Sequence, residues 1–374
     1  MVLFTRRKLI LGLGAAPAII GHARAFIFTS PPPLIRNVAI AFGFTTPALM
    51  NGSTTVAYMY SVAVNSAGLF VAVGSDSSNA PIYATSSNGS TWTTPARMNG
   101  SSTVAYMQSV TVNSAGLFVA VGRSNSNAPL YATSSNGSTW TTPAKMNGSS
   151  VQAYMQSVTV NSAGLFVAVG YSSSFIPLYA TSSNGSTWTT PAAMNGSSVQ
   201  AFMQSVTVTS AGLFVAVGYN GNNYPSYATS SDGSTWTTPA QMNGSAVIAT
   251  MYSIAVTSAG LFVAVGCDSS GFPLYATSSN GSTWTTPATM NGSSTVAYMS
   301  SVTVNSAGLF VAVGYDANNY PLYATSSNGS TWTTPAKMNG SSVQAFMQSV
   351  TVNSAGLFVA VGYNGSDYPV YAHT

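Results

Sequence analysis

The sequence predicts an all-β fold, a seven-bladed β-propeller built from 48-residue, four-stranded blades, and three observations carry that prediction. The six tryptophans, Trp92, Trp140, Trp188, Trp236, Trp284 and Trp332, stand 48 residues apart, and a strict long period means one supersecondary unit copied in series. The segment GLFVAVG occurs seven times, beginning at Gly68, Gly116, Gly164, Gly212, Gly260, Gly308 and Gly356. The ends of the array are complementary. Subtracting 48 from Trp92 gives Phe44, and residues 44–53 (FTTPALMNGS) match residues 92–101 (WTTPARMNGS), so the array begins with an orphan fourth strand. It ends at residues 370–374, which match a third strand. The N-terminal strand then completes the last blade and leaves no open sheet edge.

One copy, residues 146–193, gives the elements in order. Residues 157–161 (SVTVN) alternate apolar and polar side chains, as a half-buried first strand does. Ser162, Ala163 and Gly164 form a turn, and residues 165–170 (LFVAVG) read as a more apolar second strand. A polar loop over 171–176 ends at Pro177, and residues 178–182 (LYATS) are strand three. Asn184-Gly185 predicts a type I′ hairpin, which needs positive φ at both central residues. Residues 186–191 (STWTTP) are expected as strand four, and Asn195-Gly196 marks the turn into the next copy. No stretch carries a helical period. A unit of this kind cannot cover both of its own faces, so neighbouring copies must stack.

Residues 85–92 read TSSNGSTW, and this run recurs with each of the six tryptophans. It resembles the Asp-box (BNR) hairpin, S/T-x-D-x-G-x-T-W, of sialidase-like and other β-propellers, and it falls between strands three and four, where that family places it. The position that is Asp in the family is Ser87, Ser135, Ser183, Ser231, Ser279 and Ser327 here, followed by Asn or, once, by Asp232. The resemblance therefore implies the propeller fold from about residue 43 onward and carries over no acidic side chain.

Charged residues make up 4% of the chain, against about 25% in ordinary globular proteins. Glutamate is absent; the acids are Asp76, Asp232, Asp268, Asp316 and Asp367. Arg6, Arg7, Lys8 and Arg24 fall in the first 25 residues, and the other five basic residues balance the five aspartates. The pI of 9.1 thus comes from the leader, and nucleic-acid binding, which needs a clustered basic face, is not expected. Cys267 is the only cysteine, so there is no internal disulfide; it reads as a small residue at a position that is Tyr in several other blades. Residues 1–25 have signal-peptide anatomy, with Thr5-Arg6-Arg7-Lys8, an apolar run over 9–20 and Ala23-Arg24-Ala25. They resemble a twin-arginine leader, which implies an exported protein (periplasmic, extracellular or surface-associated), and they also resemble leaders on some phage-encoded structural proteins. The apolar run is too short to span a bilayer, so no transmembrane span is expected. Residues 26–42, with Pro31-Pro32-Pro33, are expected as a stiff linker, and 43–374 as the propeller.

The chemistry-bearing residues argue against an enzyme. Outside the leader the only histidine is His373, too little for a Ser-His-Asp arrangement. A glycosidase needs two opposed carboxylates, and the aspartates are spread over separate blades. Sialidase-like catalysis would need an arginine cluster, for which only Arg97 and Arg123 are candidates. Asp76, Asp268 and Asp316 share one repeat position but belong to different blades, so no metal site or other cofactor is expected. The fourteen methionines at two repeat positions, such as Met146 and Met155, read as core filling.

The copies differ most in the loop between strands two and three, and next in the segment before strand one. Because antiparallel strands reverse at each turn, both lie on one face, the pattern of a binding surface on a fixed scaffold. The expected ligand-binding residues are Tyr219, Tyr224, Asp268, Phe272, Tyr315, Asp316, Tyr320, Tyr363, Asp367 and Tyr368, over blades four to seven. Aromatic faces there suit sugar rings, and amides and short acids suit hydroxyls. The expected function is a non-catalytic binding module for a glycan or another uncharged surface polymer. Two alternatives stand beside it. One is a structural or host-recognition component of a phage virion or cell surface, with protein partners; the other is a relative of sialidase-like glycoside hydrolases.

Overall fold

The computed structural model describes residues 42–374, apart from 102, 149, 197, 245 and 246. The expected leader and all of the expected linker except Phe42 lie outside the described residues. Seven antiparallel sheets of four strands follow one another, and the first strand of each blade packs against the first strand of the next, including the last against the first, so the blades form a closed ring. The structure is the seven-bladed β-propeller that the 48-residue period predicts. No helix among the described residues is long and apolar enough to cross a membrane.

Closure works by the complementary ends. Ala48 pairs with Tyr371 and Leu49 with Val370, so Ala48–Leu49 is the outer strand of the seventh blade. Thr45 N donates to His373 O at 2.8 Å. Phe44 is 3% exposed and occupies the place that tryptophan holds in the other six blades.

The second strand, Phe166–Ser172, takes in Tyr171 and Ser172 of the expected loop, and the third begins one residue early, at Pro177; the first and fourth strands depart further, each for a physical reason. In the third blade the first strand runs Ala153–Val160, starting four residues earlier than the alternation indicates. Its pairing with Phe166–Ser172 slips between Met155 and Ser157, leaving Gln156 as a bulge. One extra residue inverts the in–out alternation. Ala153 and Met155 are buried before it and Val158 after it, so the pattern breaks where the strand does not. The fourth strand is not residues 186–191 but the dipeptide Ala192–Ala193, paired only to Leu178 and Tyr179. Trp188 turns into the core and its Nε1 donates to Gly185 O at 2.9 Å. Pro191 has no N–H to give a ladder. A short edge strand also offers little for another chain to pair with.

The Asn-Gly turns differ from expectation as well. Gly185 has φ 76°, but Asn184 is not left-handed, so that hairpin is not type I′. Instead the Asn184 side-chain oxygen accepts from Ser186 N and Thr187 N at 2.9 and 2.8 Å, and Ser182 Oγ accepts from Gly185 N at 2.9 Å. The side chain that closes this hairpin is the residue after Ser183. The turn with two consecutive left-handed residues is Asn195-Gly196, at φ 51° and 58°.

The core lies between blades. Val167 and Val169 of the third blade pack with Met203, Val206, Phe214 and Trp236 of the fourth, and Met194 from the connecting turn fills the same space. Both repeated methionines are fully buried, as core filling requires. Blades are also tied laterally: Ser157 Oγ accepts from Val206 N at 3.2 Å, and Ser349 Oγ accepts from Val62 N at the same distance across the closure.

Candidate functional site: the channel mouth

The bulge has a consequence at the centre of the ring. The residue it displaces in each first strand is Tyr60, Gln108, Gln156, Gln204, Tyr252, Ser300 or Gln348, and all seven line one axial cavity of about 240 Å³. The glycine that ends GLFVAVG allows the fit: a Cβ at Gly170 would stand 1.9 Å from Tyr154 O.

A second ring stands at the mouth of this cavity. It is formed by the residue after GLFVAVG, which is Ser75, Arg123, Tyr171, Tyr219, Cys267, Tyr315 or Tyr363. The two rings are coupled within each blade. Where the mouth residue is small, the bulged residue is tyrosine: the Tyr60 hydroxyl lies 3.3 Å from Ser75 Oγ, and Cys267 Sγ lies 3.7 Å from the Tyr252 hydroxyl. Where the mouth residue is tyrosine the bulged one is smaller, as where Gln156 Nε2 donates to the Tyr171 hydroxyl at 3.4 Å. From these two positions every blade thus contributes one large planar group, tyrosine in six blades and Arg123 in the second.

The mouth tyrosines touch through the residue two places before the bulge in each first strand. Tyr171 meets Phe202 edge-on at 5.0 Å, and Phe202 stacks on Tyr219 at 4.6 Å. Tyr315, Phe346, Tyr363 and Tyr58 continue in contacts of 5.0 Å each. The aromatic pairing is interrupted where Thr250 and Cys267 replace it. A cleft of about 280 Å³ opens there and shares Tyr252 and Tyr298 with the axial cavity. Burial raises the pKa of Tyr60, Tyr171, Tyr219, Tyr252 and Tyr315, and pushes Tyr363 up to about 12, with further upward pressure from neighbouring phenols and Asp367. The mouth phenols are therefore neutral hydrogen-bonding groups. Burial likewise pushes the Cys267 thiol up.

The ten residues expected from the sequence are all half-buried on this same face and fall into three sets. Tyr219, Tyr315 and Tyr363 are mouth residues. Asp268 and Asp316 turn back on their own loops: Asp268 Oδ1 accepts from Ser270 N and Phe272 N at 2.9 and 2.8 Å, and Asp316 Oδ1 accepts from Asn318 N and Tyr320 N at the same distances. Asn220 and Asn364 do the same work in their blades, as do Ser124 and Ser172 for the residue four places on. Much of the loop variation is thus an exchange among equivalent turn acceptors. Asp367 is a left-handed loop residue at φ 62°, near Tyr58 and Tyr363.

Tyr224, Phe272, Tyr320 and Tyr368 form the third set, further from the axis. Tyr320 lies toward the outermost strand, where Lys337 Nζ sits 3.5 Å from its ring centroid, and it also borders a groove of about 380 Å³ with Gln344 and Asn364. The axial ring is absent from the sequence expectation. Its signal was the residue after Met in AYMQSVTV, which reads Tyr, Gln, Gln, Gln, Tyr, Ser and Gln through strands that otherwise barely vary.

No protein-family model and no curated protein matches this sequence. Solved structures do share the fold. YCF48 bound to D1 peptide superposes with a TM-score of 0.62 at 13% identity, over 89% of this chain and 96% of that one. The BP39L lectin from Burkholderia pseudomallei gives 0.61 at 12% identity, over 85% and 96%. An ulvan lyase of polysaccharide lyase family PL25 gives 0.57 at 10% identity, over 88% and 94%. At such identities the likeness is one of fold alone.

Proposed function

We propose that this protein is an exported, non-catalytic binding module that recognises a glycan at the aromatic mouth of its channel. One observation carries the reading: the positions that vary among near-identical copies converge on a single face, and their inner members bring six phenols, four glutamine amides and Arg123 together around one axis. Phenol faces stack on the apolar faces of sugar rings, while glutamine amides and neutral hydroxyls bond sugar hydroxyls. The loop carboxylates of Asp268 and Asp316 are occupied by backbone N–H groups, which fits binding better than acid–base work. In this reading the Asp-box-like hairpins belong to the scaffold, and the twin-arginine-type leader places the disc outside the cytoplasm. A surface component that docks on a protein is the second reading, favoured by Val199, Ile248 and Val343, exposed at 48%, 47% and 44% in the segments before strand one.

The test is a glycan-array screen of the full chain beside two variants, Tyr219→Leu/Tyr315→Leu at the mouth and Tyr224→Ala/Tyr320→Ala further out. Selective binding that falls at least about tenfold in the mouth variant and survives in the outer one is the expected result. The reverse pattern would move the site to the two–three loops. No binding by any of the three proteins would transfer the weight to protein docking.

A further inference from the structure

The mouth contains one cation. Arg123 stands where four other blades have tyrosine. Its guanidinium carbon lies 4.5 Å from the ring centroid of Tyr106 and 5.0 Å from that of Tyr154, so it is held between rings of two adjacent blades. Nη1 donates to Asn127 Oδ1 at 3.0 Å, which fixes the plane of the fork. Among the described residues the only ion pair is Arg97 with Asp76 at 2.7 Å, so the Arg123 charge has no carboxylate partner. Arginine is never deprotonated in a protein, and a guanidinium immobilised by two aromatic faces has already lost much of the freedom that ligand binding would otherwise remove. Tyr60 and Tyr171 are close enough that its charge opposes the upward pull of burial on their phenols. Asp367 lies on the other side of Tyr60, in the seventh blade. The mouth therefore has its unpaired cation over blades two and three, while its acids lie elsewhere, Asp367 in blade seven and Asp268 beside Cys267 in blade five.

We infer that Arg123 makes the channel mouth selective for a saccharide bearing an oxyanion, the anionic group lying over blades two and three. The inference rests on the glycan reading and names its ligand class. A planar fork matches carboxylate and sulfate oxygens alike, and a charge-assisted pair in a half-buried mouth outweighs a neutral hydrogen bond. The same chemistry explains why this blade departs from tyrosine: arginine retains the planar stacking surface of the ring and adds charge.

The test measures affinity of the full chain for polygalacturonate, a sulfated galactan and a neutral galactan, beside Arg123→Tyr and Arg123→Lys. Arg123→Tyr installs the residue other blades already carry, and its thermal unfolding curve checks the fold. The expected result is a preference of about tenfold or more for an anionic polymer over the neutral one. That preference should weaken with added salt, vanish in Arg123→Tyr and persist only in part in Arg123→Lys. Preference for polygalacturonate assigns a carboxylate, and preference for the sulfated galactan assigns a sulfate. Equal binding of all three polymers, or a preference that survives Arg123→Tyr, overturns this inference and leaves the glycan module standing. Binding of none of them, with a blank array, overturns both.

Discussion

The two faces of the disc come from the same repeat and have diverged in opposite ways. On the hairpin face the copies read SSNGSTW with a single change, Asn to Asp232. There the buried and turn-closing side chains have fixed tasks. Trp188 fills the space between blades, Ser182 and Asn184 close the turn, and a Cβ at Gly185 would stand 2.7 Å from Val119 Cγ2 of the preceding blade. At the channel mouth the copies hold Ser, Arg, Tyr or Cys at one position and Tyr, Gln or Ser at the other. The difference shows what freezes a repeat. Positions whose side chains lock one blade to the next do not vary, while positions that face the axis vary so long as each blade delivers one large planar group.

The comparison breaks if the two faces respond alike to substitution. The largest expected effect is Trp188→Ala, a loss of ~3–5 kcal/mol from emptying the space between blades. Tyr219→Leu at the mouth should lie within about 1 kcal/mol of the parent. Equilibrium denaturation of the full chain measures both, and similar losses would end the distinction.

A smaller effect sharpens it. Gly185 and Gly148 are both left-handed, at φ 76° and 59°, but a Cβ at Gly148 would meet nothing within 4 Å. Gly148→Ala should cost about 1–2 kcal/mol from backbone strain alone, and Gly185→Ala about 1–3 kcal/mol more because blade packing must also yield. Equal costs would show that the hairpin is not held by its neighbour.

The smallest effects are in pH dependence, and the two faces should titrate in opposite senses. The Tyr363 phenol is raised in the folded protein, chiefly by burial, to about 12. Its contribution is therefore full below the ordinary phenol pKa near ~10 and is lost as pH climbs through 12. On the hairpin face the Asp232 carboxyl is held well below the usual range, first by the Thr235 N–H and then by the Ser234 N–H. Its contribution is present above the usual pKa near ~4 and is lost as pH falls further. Tyr363→Phe should flatten the alkaline limb of the stability curve, and Asp232→Asn the acid limb. An unchanged limb in either variant would remove that residue from the account.

Much of the architecture was legible because it depends on counting. The period, the orphan strand at Phe44 and the third-strand ending fix seven blades and their closure without any contact being known. The assignment of one face to the variable loops follows from strand reversal and needs no distances. The boundaries were less legible. Side-chain alternation is the strand signal, and the bulge at Gln156 reverses it, so the first half of strand one was hidden. The expected fourth strand was read through Trp188, whose inward turn removes it from the ladder. At the site, three of the expected aromatics are at the mouth and four are further out, because a loop residue's distance from the axis is not encoded in its order along the chain.

The sequence by itself determined that one unit is repeated, how many copies the ring holds and which segments differ. Tertiary structure decided which differences meet. The pairings of Tyr60 with Ser75, Tyr252 with Cys267 and Gln156 with Tyr171 each span 15 residues, and they come together only because a bulge turns the first-strand residue toward the axis beneath the mouth. Arg123 acquires its meaning in the same way. Its flanking rings, Tyr106 and Tyr154, belong to different blades, and ring closure brings residues from every blade to one axial mouth. Spacing along a chain records the repeat; convergence on an axis is a property of the closed ring.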